Sequence, residues 1–268
     1  MTDHITQDTG IHRQKSEGIE DTMGRSSLAG RFAQRLVDGA EELNIRYSAV
    51  GNPPVFDKET FPWAQEIESE WKLIRSELDQ VLVRKGDLPA FHEIAAEVRS
   101  ISDDKDWKTF WLCGYGIRSE EAIKQCPETW RILKKIPGMK SAMFSIFEPG
   151  KHLPPHRGPY NGVLRFHLGL IVPDQPEKVG IRVDQQICHW EEGKALIFDD
   201  AYEHEAWNYT DQTRVVLFVD FEKPTQFPAK LTNKLVLKLS VFTPFIREGY
   251  KAQKAWEKLF YGSGRHHR

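Results

Sequence analysis

The chain of 268 residues has only three cysteines, Cys113, Cys126 and Cys188, far apart and odd in number. That excludes a disulfide framework and a zinc-type cluster, and makes a reducing cytoplasm the expected setting. No apolar run approaches the ~18 residues of a membrane span, and the N-terminus MTDHITQDTGIHRQKSEG lacks the apolar stretch of a signal peptide. The formal net charge is only −2, so no surface-wide attraction for nucleic acid is expected. No internal repeat is visible. Residues 1–27 are polar and read as a disordered tail, which leaves 28–262 for a single domain.

That domain changes character twice. From 28 to 136 it reads helical between loops. A short helix is expected over 29–43, and AQEIESEWKLIRSELDQVLVR sets Ile67, Trp71, Ile74, Leu78, Val81 and Leu82 at helical spacing. LPAFHEIAAEVRS reads as a second helix with proline in its first turn, and SEEAIKQCPETWRILKKI as a third helical region, interrupted near Pro127. From 138 to 222 the pattern is β. KSAMFSIF, VLRFHLGLIV, GIRV, KALIFDD, EHEAW and RVVLFVDF are short runs of β-branched and aromatic residues punctuated by Gly, Pro, Asp and Asn. Short strands without intervening helices point to a sandwich or jelly roll, mainly β with flanking helices. From 226 to 262 the chain turns helical again.

Three residues of the β region carry chemistry. His156 heads PHRGPYNG, His204 lies 48 residues on in DDAYEHEAW, and Arg214 follows ten residues later at the head of RVVLFVDF. Two histidines on rigid strands can hold a divalent metal, and an arginine opening the next strand can hold the far carboxylate of an acid that chelates it. Non-haem iron, 2-oxoglutarate-dependent oxygenases are built this way, normally with a carboxylate as third ligand. That acid would fall two residues after the first histidine, where this chain has Gly158. In VLRFHLGLIV, Leu164, Phe166, Leu168 and Leu170 share one face, and Arg165 and His167 share the other. The second face lines either solvent or a cavity. In a barrel-like sandwich the pair would line an anion pocket, since a buried arginine needs a partner. Each histidine also has an ordinary reading. His4, His12, His266 and His267 lie in the tails, His92 reads as structural and His189 as peripheral. His152 stands close enough to His156 to compete with it.

The runs HRGPYNGVLRFHLGLIVP, WEEGKALIFDDAYEHEAWN and TRVVLFVD resemble the aspartyl/asparaginyl β-hydroxylase family, closely over roughly 140–222. H-x-G-P, R-x-H-L-G-L, W-x-x-G and F-D-D-x-x-x-H-E recur in order. The resemblance implies a double-stranded β-helix (cupin-like), an Fe(II) centre without the usual carboxylate ligand, 2-oxoglutarate as cosubstrate and O2 as oxidant. It selects His156 over His152 and makes His156 and His204 the iron ligands. Arg214 would then hold the distal carboxylate of 2-oxoglutarate, with Ser145 and His167 completing that site. Arg165 would face the cosubstrate or an acidic group of the substrate. Asp200 would hold a metal-bound water, while Asp199 reads as a solvated turn. The reaction implied is oxidative decarboxylation of 2-oxoglutarate coupled to hydroxylation of an unactivated C–H.

The expected target is the β-carbon of an aspartyl or asparaginyl group in a peptide or small metabolite. The alternative is the acyl chain of a lipid, of lipid A or ornithine-lipid type, and a third reading is a non-catalytic carboxylate-binding module. The animal peptide hydroxylases of the family carry a further arginine two residues before the R-x-H pair, where this chain has Val163. The segment Lys230–Lys258 carries seven basic residues against Glu248 and Glu257. Its two helices, divided at Pro244, would either cover the β core or touch an anionic membrane at its inner face.

Overall fold

The computed structural model describes residues 28–240 and 244–262. The tail assigned to 1–27, the four tail histidines and Val241–Thr243 of the basic segment lie outside the described residues. The elements run α1 (Leu28–Arg46), β1 (Val55–Phe56), α2 (Trp63–Ser69), α3 (Trp71–Leu82), α4 (Phe91–Ile94), β2 (Trp107–Gly114), β3 (Ile117–Arg118), α5 (Glu120–Gln125) and α6 (Pro127–Leu133). They continue through β4 (Met139–Phe147), β5 (His152–His156), β6 (Val163–Ile171), β7 (Val179–Val183), β8 (Gln186–Cys188), β9 (Ala195–Phe198), β10 (His204–Asn208), β11 (Arg214–Glu222), α7 (Ala229–Ser240) and α8 (Pro244–Gly262).

Two antiparallel sheets face each other. The larger has the order β1-β9-β6-β11-β4-β2-β3 and the smaller β5-β10-β7-β8. This is the expected jelly-roll architecture with flanking helices. The large sheet is buried on both faces. Phe144, Ile146, Leu164, Phe166, Leu168, Leu170, Val215, Leu217 and Val219 point away from the small sheet and pack with Ile67, Ile74, Leu78, Leu133 and Phe260 of the helices. The alternate residues, among them Trp107, Met143, Phe147, Phe198, Val216 and Phe218, meet Leu153, Ile181, Val183 and Ala206 of the small sheet. A strand buried on both sides reads as a continuous apolar run, so the few polar residues facing the small sheet stand out.

The N-terminal part departs from the all-helical expectation. β2 is an eight-residue strand paired with β4 from Trp107↔Phe147 to Gly114↔Ser141. Its sequence, WKTFWLCG, alternates imperfectly because the register shifts between Trp111 and Cys113, and a bulge blurs a period of two. The helix expected over 64–84 is two helices broken at Glu70, whose carboxylate pairs with Arg131 and Lys135. LPAFHEIAAEVRS forms only four α-helical residues followed by a 3-10 turn over Ala96–Ser100. The interruption at Pro127 is present, with proline at the first position of α6. The backbone N–H groups of Glu128 and Thr129 there donate to the Glu77 carboxylate at 2.8 and 2.7 Å, a favourable anion position at a helix start.

Asp199 corrects another expectation. It is buried, not solvated. Its Oδ2 accepts from Lys223 Nζ at 2.8 Å, and both side chains are almost wholly enclosed. Its Oδ1 accepts from Ala201 N. The first aspartate of FDD thus anchors the turn before β10 to the end of β11. Removing one partner of such a pair strands the other charge. Lys223→Met is expected to lower unfolding free energy by about 3–5 kcal/mol, and Lys223→Met with Asp199→Leu to recover much of that loss. Urea unfolding of the two variants measures the difference; a double variant as unstable as the single would refute a stranded carboxylate as the cause.

Candidate active site

His156 is the last residue of β5 and His204 the first of β10, and the antiparallel register sets them directly opposite one another. Their ring centroids are 4.1 Å apart. His156 Nδ1 donates to Pro154 O at 2.7 Å and His204 Nδ1 to Tyr202 O at 2.9 Å. A carbonyl can only accept, so both protons sit on Nδ1 and both Nε2 lone pairs are free for a metal. Burial is the main cause that lowers the His156 pKa to about 4, against the hydrogen bond to Pro154 O. Burial, with the neighbouring His156 and Arg165, holds His204 well below the usual imidazole value. His152 points elsewhere: it is exposed and bonded to Glu205.

Among the described residues no third His, Cys, Asp or Glu joins the pair in a metal-sized cluster. The geometry at Gly158 gives a reason. A Cβ built there would lie 2.2 Å from Asp200 Oδ2, while Gly158 N donates to Asp200 O at 2.7 Å. The carboxylate of Asp200 therefore fills the space that a side chain at 158 would need. Asp200 is fully buried and pairs with Arg165 Nη2 at 2.7 Å, and its Oδ1 has no partner. Burial pushes this carboxyl up to about 7, with Arg165 pulling down and Asp220 and Asp199 adding to the rise.

Arg165 does not stand free for a cosubstrate or an acidic substrate, as one expectation had it. Its Nη2 engages Asp200 and its Nε donates to Asp220 Oδ1 at 3.0 Å. Burial works against its charge, yet the two carboxylates outweigh it and hold the guanidinium above its ordinary pKa. Val163, on the same face, is buried and carries no charge.

Arg214 is the contrasting case. It is 1 % exposed, sandwiched over Phe147 at 3.7 Å and Trp190 at 4.5 Å. Its Nη1 makes one long bond to Ser145 O, 3.4 Å, and its Nε has no partner. Burial alone pushes its pKa down to about 9. His167 lies nearby in the same enclosure. Trp190 Nε1 donates to His167 Nδ1 at 3.3 Å, so the imidazole proton is on Nε2, which has no partner. Ser145 Oγ accepts from Trp107 Nε1 at 3.0 Å, leaving its own proton to give. An unpaired buried guanidinium, an imidazole N–H and a hydroxyl, close to two imidazole lone pairs, match what a metal-chelating dicarboxylate needs. Fe(II) and 2-oxoglutarate fit these residues.

Three participants went unassigned in the sequence reading. Asp220 shares the Arg214 face of β11 by strict alternation, a signal RVVLFVDF contains. Trp190, from the W-x-x-G motif, braces both Arg214 and His167. Tyr115 has φ 49° between two glycines, and burial, then Asp220 and Asp200, raise its phenol well above the ordinary value. Nothing in CGYG announces that proximity.

The comparisons place the chain in a family. The family model described as aspartyl/asparaginyl beta-hydroxylase matches residues 68–224, and the chain belongs to that family and is a hydroxylase. It is 61% identical over 239 residues to a Rhizobium tropici protein named ornithine lipid ester-linked acyl 2-hydroxylase, covering 89% of this chain and 85% of that one. It is 38% identical over 169 residues to the human aspartyl/asparaginyl beta-hydroxylase, covering 61% of this chain but only 21% of the human protein. A Pseudomonas putida prolyl-4-hydroxylase structure aligns at TM-score 0.38 and 16% identity over 57% of this chain and 87% of its own, too loosely to bear on activity.

Two expectations follow. Gly158→Asp should not tighten Co(II) binding and should lower the thermal midpoint, because overpacking against Asp200 costs about 1–3 kcal/mol; tighter Co(II) would show that position 158 can reach the metal. Stability of the metal-free protein should also fall as pH drops from 6.5 toward about 4. In that window the unfolded chain takes up protons on histidines that the folded chain keeps neutral. Denaturant titrations should show a shallower slope in His156→Leu, and an unchanged slope would reject the assignment.

Proposed function

We propose that this chain is an Fe(II)- and 2-oxoglutarate-dependent hydroxylase of an ester-linked lipid acyl chain, acting at the carbon next to the ester carbonyl. The reading is carried by the 61% identity to the ornithine lipid hydroxylase over nearly the full length of both chains. It displaces the aspartyl or asparaginyl target that motif resemblance alone placed first. A second observation supports it: Arg165, which the family resemblance offered for an acidic substrate, is already paired with Asp200 and Asp220. We place the enzyme in the cytoplasm, at the inner membrane face.

In this reading His156 and His204 present their Nε2 lone pairs to the metal. Arg214 binds the distal carboxylate of 2-oxoglutarate, a charge-assisted contact strengthened by the enclosure of Phe147 and Trp190. His167 Nε2–H and the Ser145 hydroxyl donate to cosubstrate oxygens. Asp200, locked by Arg165, keeps a buried Oδ1 without a protein partner, which would accept from a water held at the metal. Bound there, the metal with 2-oxoglutarate and O2 supplies the oxidant: one oxygen atom enters the C–H bond and the other leaves in succinate, with loss of CO2.

Anaerobically purified protein given Fe(II), 2-oxoglutarate, O2 and ornithine lipid should release succinate and return a lipid heavier by one oxygen. Peptides with aspartyl or asparaginyl residues should give no product; turnover of such peptides in place of the lipid would overturn the substrate assignment. His204→Ala should abolish both products with the fold intact. Arg214→Met should raise the KM for 2-oxoglutarate about 10- to 100-fold, the worth of hydrogen bonds to a charged group.

A further inference from the structure

The basic C-terminal segment divides its roles between two helices. α8 is held down by Gln253, Glu257 and Phe260, all buried, and Trp256 Nε1 donates to Asp87 O. α7 is different. Its inner face is Ala229, Asn233 and Leu237, four residues apart and buried. Its outer face repeats the same spacing two residues on: Leu231, Leu235 and Leu239 are 66%, 55% and 51% exposed, and Phe227 just before the helix is 78% exposed. At 100° per residue the leucines stand about 200° from the buried face. Lys230, Lys234 and Lys238 line the flank between them, exposed in turn. Leucine has no reason to repeat on an outward stripe of a twelve-residue helix unless something apolar meets it.

We infer that the outer face of α7, Phe227 with Leu231, Leu235 and Leu239, flanked by Lys230, Lys234 and Lys238, docks the enzyme on an anionic lipid surface. The charge pattern selects this occupant. No acidic residue occurs from Lys223 to Arg247, so every charge that α7 itself sets beside the stripe is a cation. Lysines at that flank reach phosphates while their stems follow the leucines into the interface. A second copy suits the face poorly, since two-fold pairing of α7 on itself sets lysine beside lysine with no acid to answer.

The inner face ties this surface to the site. Asn233 Nδ2 donates to Gly162 O at 2.9 Å, and Tyr160 Oη donates to Asn233 Oδ1 at 2.9 Å. Both partners belong to the loop 157–162 that runs from His156 into β6. Asn44 of α1 joins the same network, donating to Tyr160 Oη and Asn161 Oδ1. α7 is therefore braced against the loop that borders the metal-binding histidine. This adds to the lipid-substrate reading the route by which substrate is met, but the docking itself needs no turnover to be tested.

Vesicle co-sedimentation is the test, with the full chain, phosphatidylglycerol vesicles and phosphatidylcholine vesicles. The protein should bind phosphatidylglycerol, bind phosphatidylcholine at least about tenfold less, and lose binding as salt rises from about 0.1 to about 0.5 M. The triple variants Leu231→Ser/Leu235→Ser/Leu239→Ser and Lys230→Gln/Lys234→Gln/Lys238→Gln, with thermal midpoints near wild type, should each bind about tenfold or more weakly. Wild-type binding in both variants, or no binding by the wild type, overturns the proposal. So does a concentration-dependent dimer that the leucine variant loses, which assigns the face to a second copy. Hydroxylation separates the two readings. If docking delivers substrate, the variants lose turnover of lipid in vesicles and keep it on a detergent-dispersed acyl ester. A wild type that docks yet hydroxylates neither sinks the substrate reading and leaves the docking face standing.

Discussion

Everything in this site depends on the two-residue alternation along β4, β6 and β11. Each strand is buried on both sides, so each must send one set of residues to the helices and the other to the small sheet. Arg165 and His167 alternate with Leu164, Phe166 and Leu168, and Arg214 and Asp220 alternate with Val215, Leu217 and Val219. A slip of one residue in any pairing would drive a guanidinium or a carboxylate among leucines and phenylalanines. The register pairs Asp220↔Arg165 and Phe218↔His167 across β11 and β6, so the alignment that saves the core also assembles the polar cluster.

Within that space two arginines are handled in opposite ways. Arg165 is paired with Asp200 and Asp220 and so holds a loop carboxylate near the histidine pair. Arg214 has aromatic faces on both sides and, among the described residues, no protein anion. Desolvating a guanidinium without a counter-ion is expensive, and the lowered pKa is the sign of it. The large two-sided core offsets that cost, and in the proposed reading a bound dicarboxylate would relieve it, linking cosubstrate binding to folding stability.

The β core and the histidine–arginine constellation were legible because they are written in local pattern: alternation, turn residues, and motifs of fixed order. The N-terminal region was less so, for particular reasons. β2 hides its period behind a bulge, and Glu70 splits one periodic stretch in two through partners some sixty residues away, Arg131 and Lys135. The two aspartates of FDD look alike in sequence, yet Asp199 closes on Lys223 and Asp200 on Arg165. Such pairings are set by tertiary approach, which no window of sequence contains. The same holds for Tyr115, brought to the cluster by a left-handed turn at the end of β2. The basic segment showed its amphipathic character in sequence, but only packing against α1 reveals which side of α7 is left outward.

The close fit of Asp200 into the space above Gly158 also bears on how such a site can change. Position 158 and position 200 are interlocked, since a side chain at one excludes the carboxylate at the other. A three-ligand centre therefore lies more than one substitution away: acid at 158 alone meets a clash, and loss of Asp200 alone takes from Arg165 one of its two carboxylate partners. In the proposed reading, the two-histidine arrangement is kept in part by this fit between positions 158 and 200.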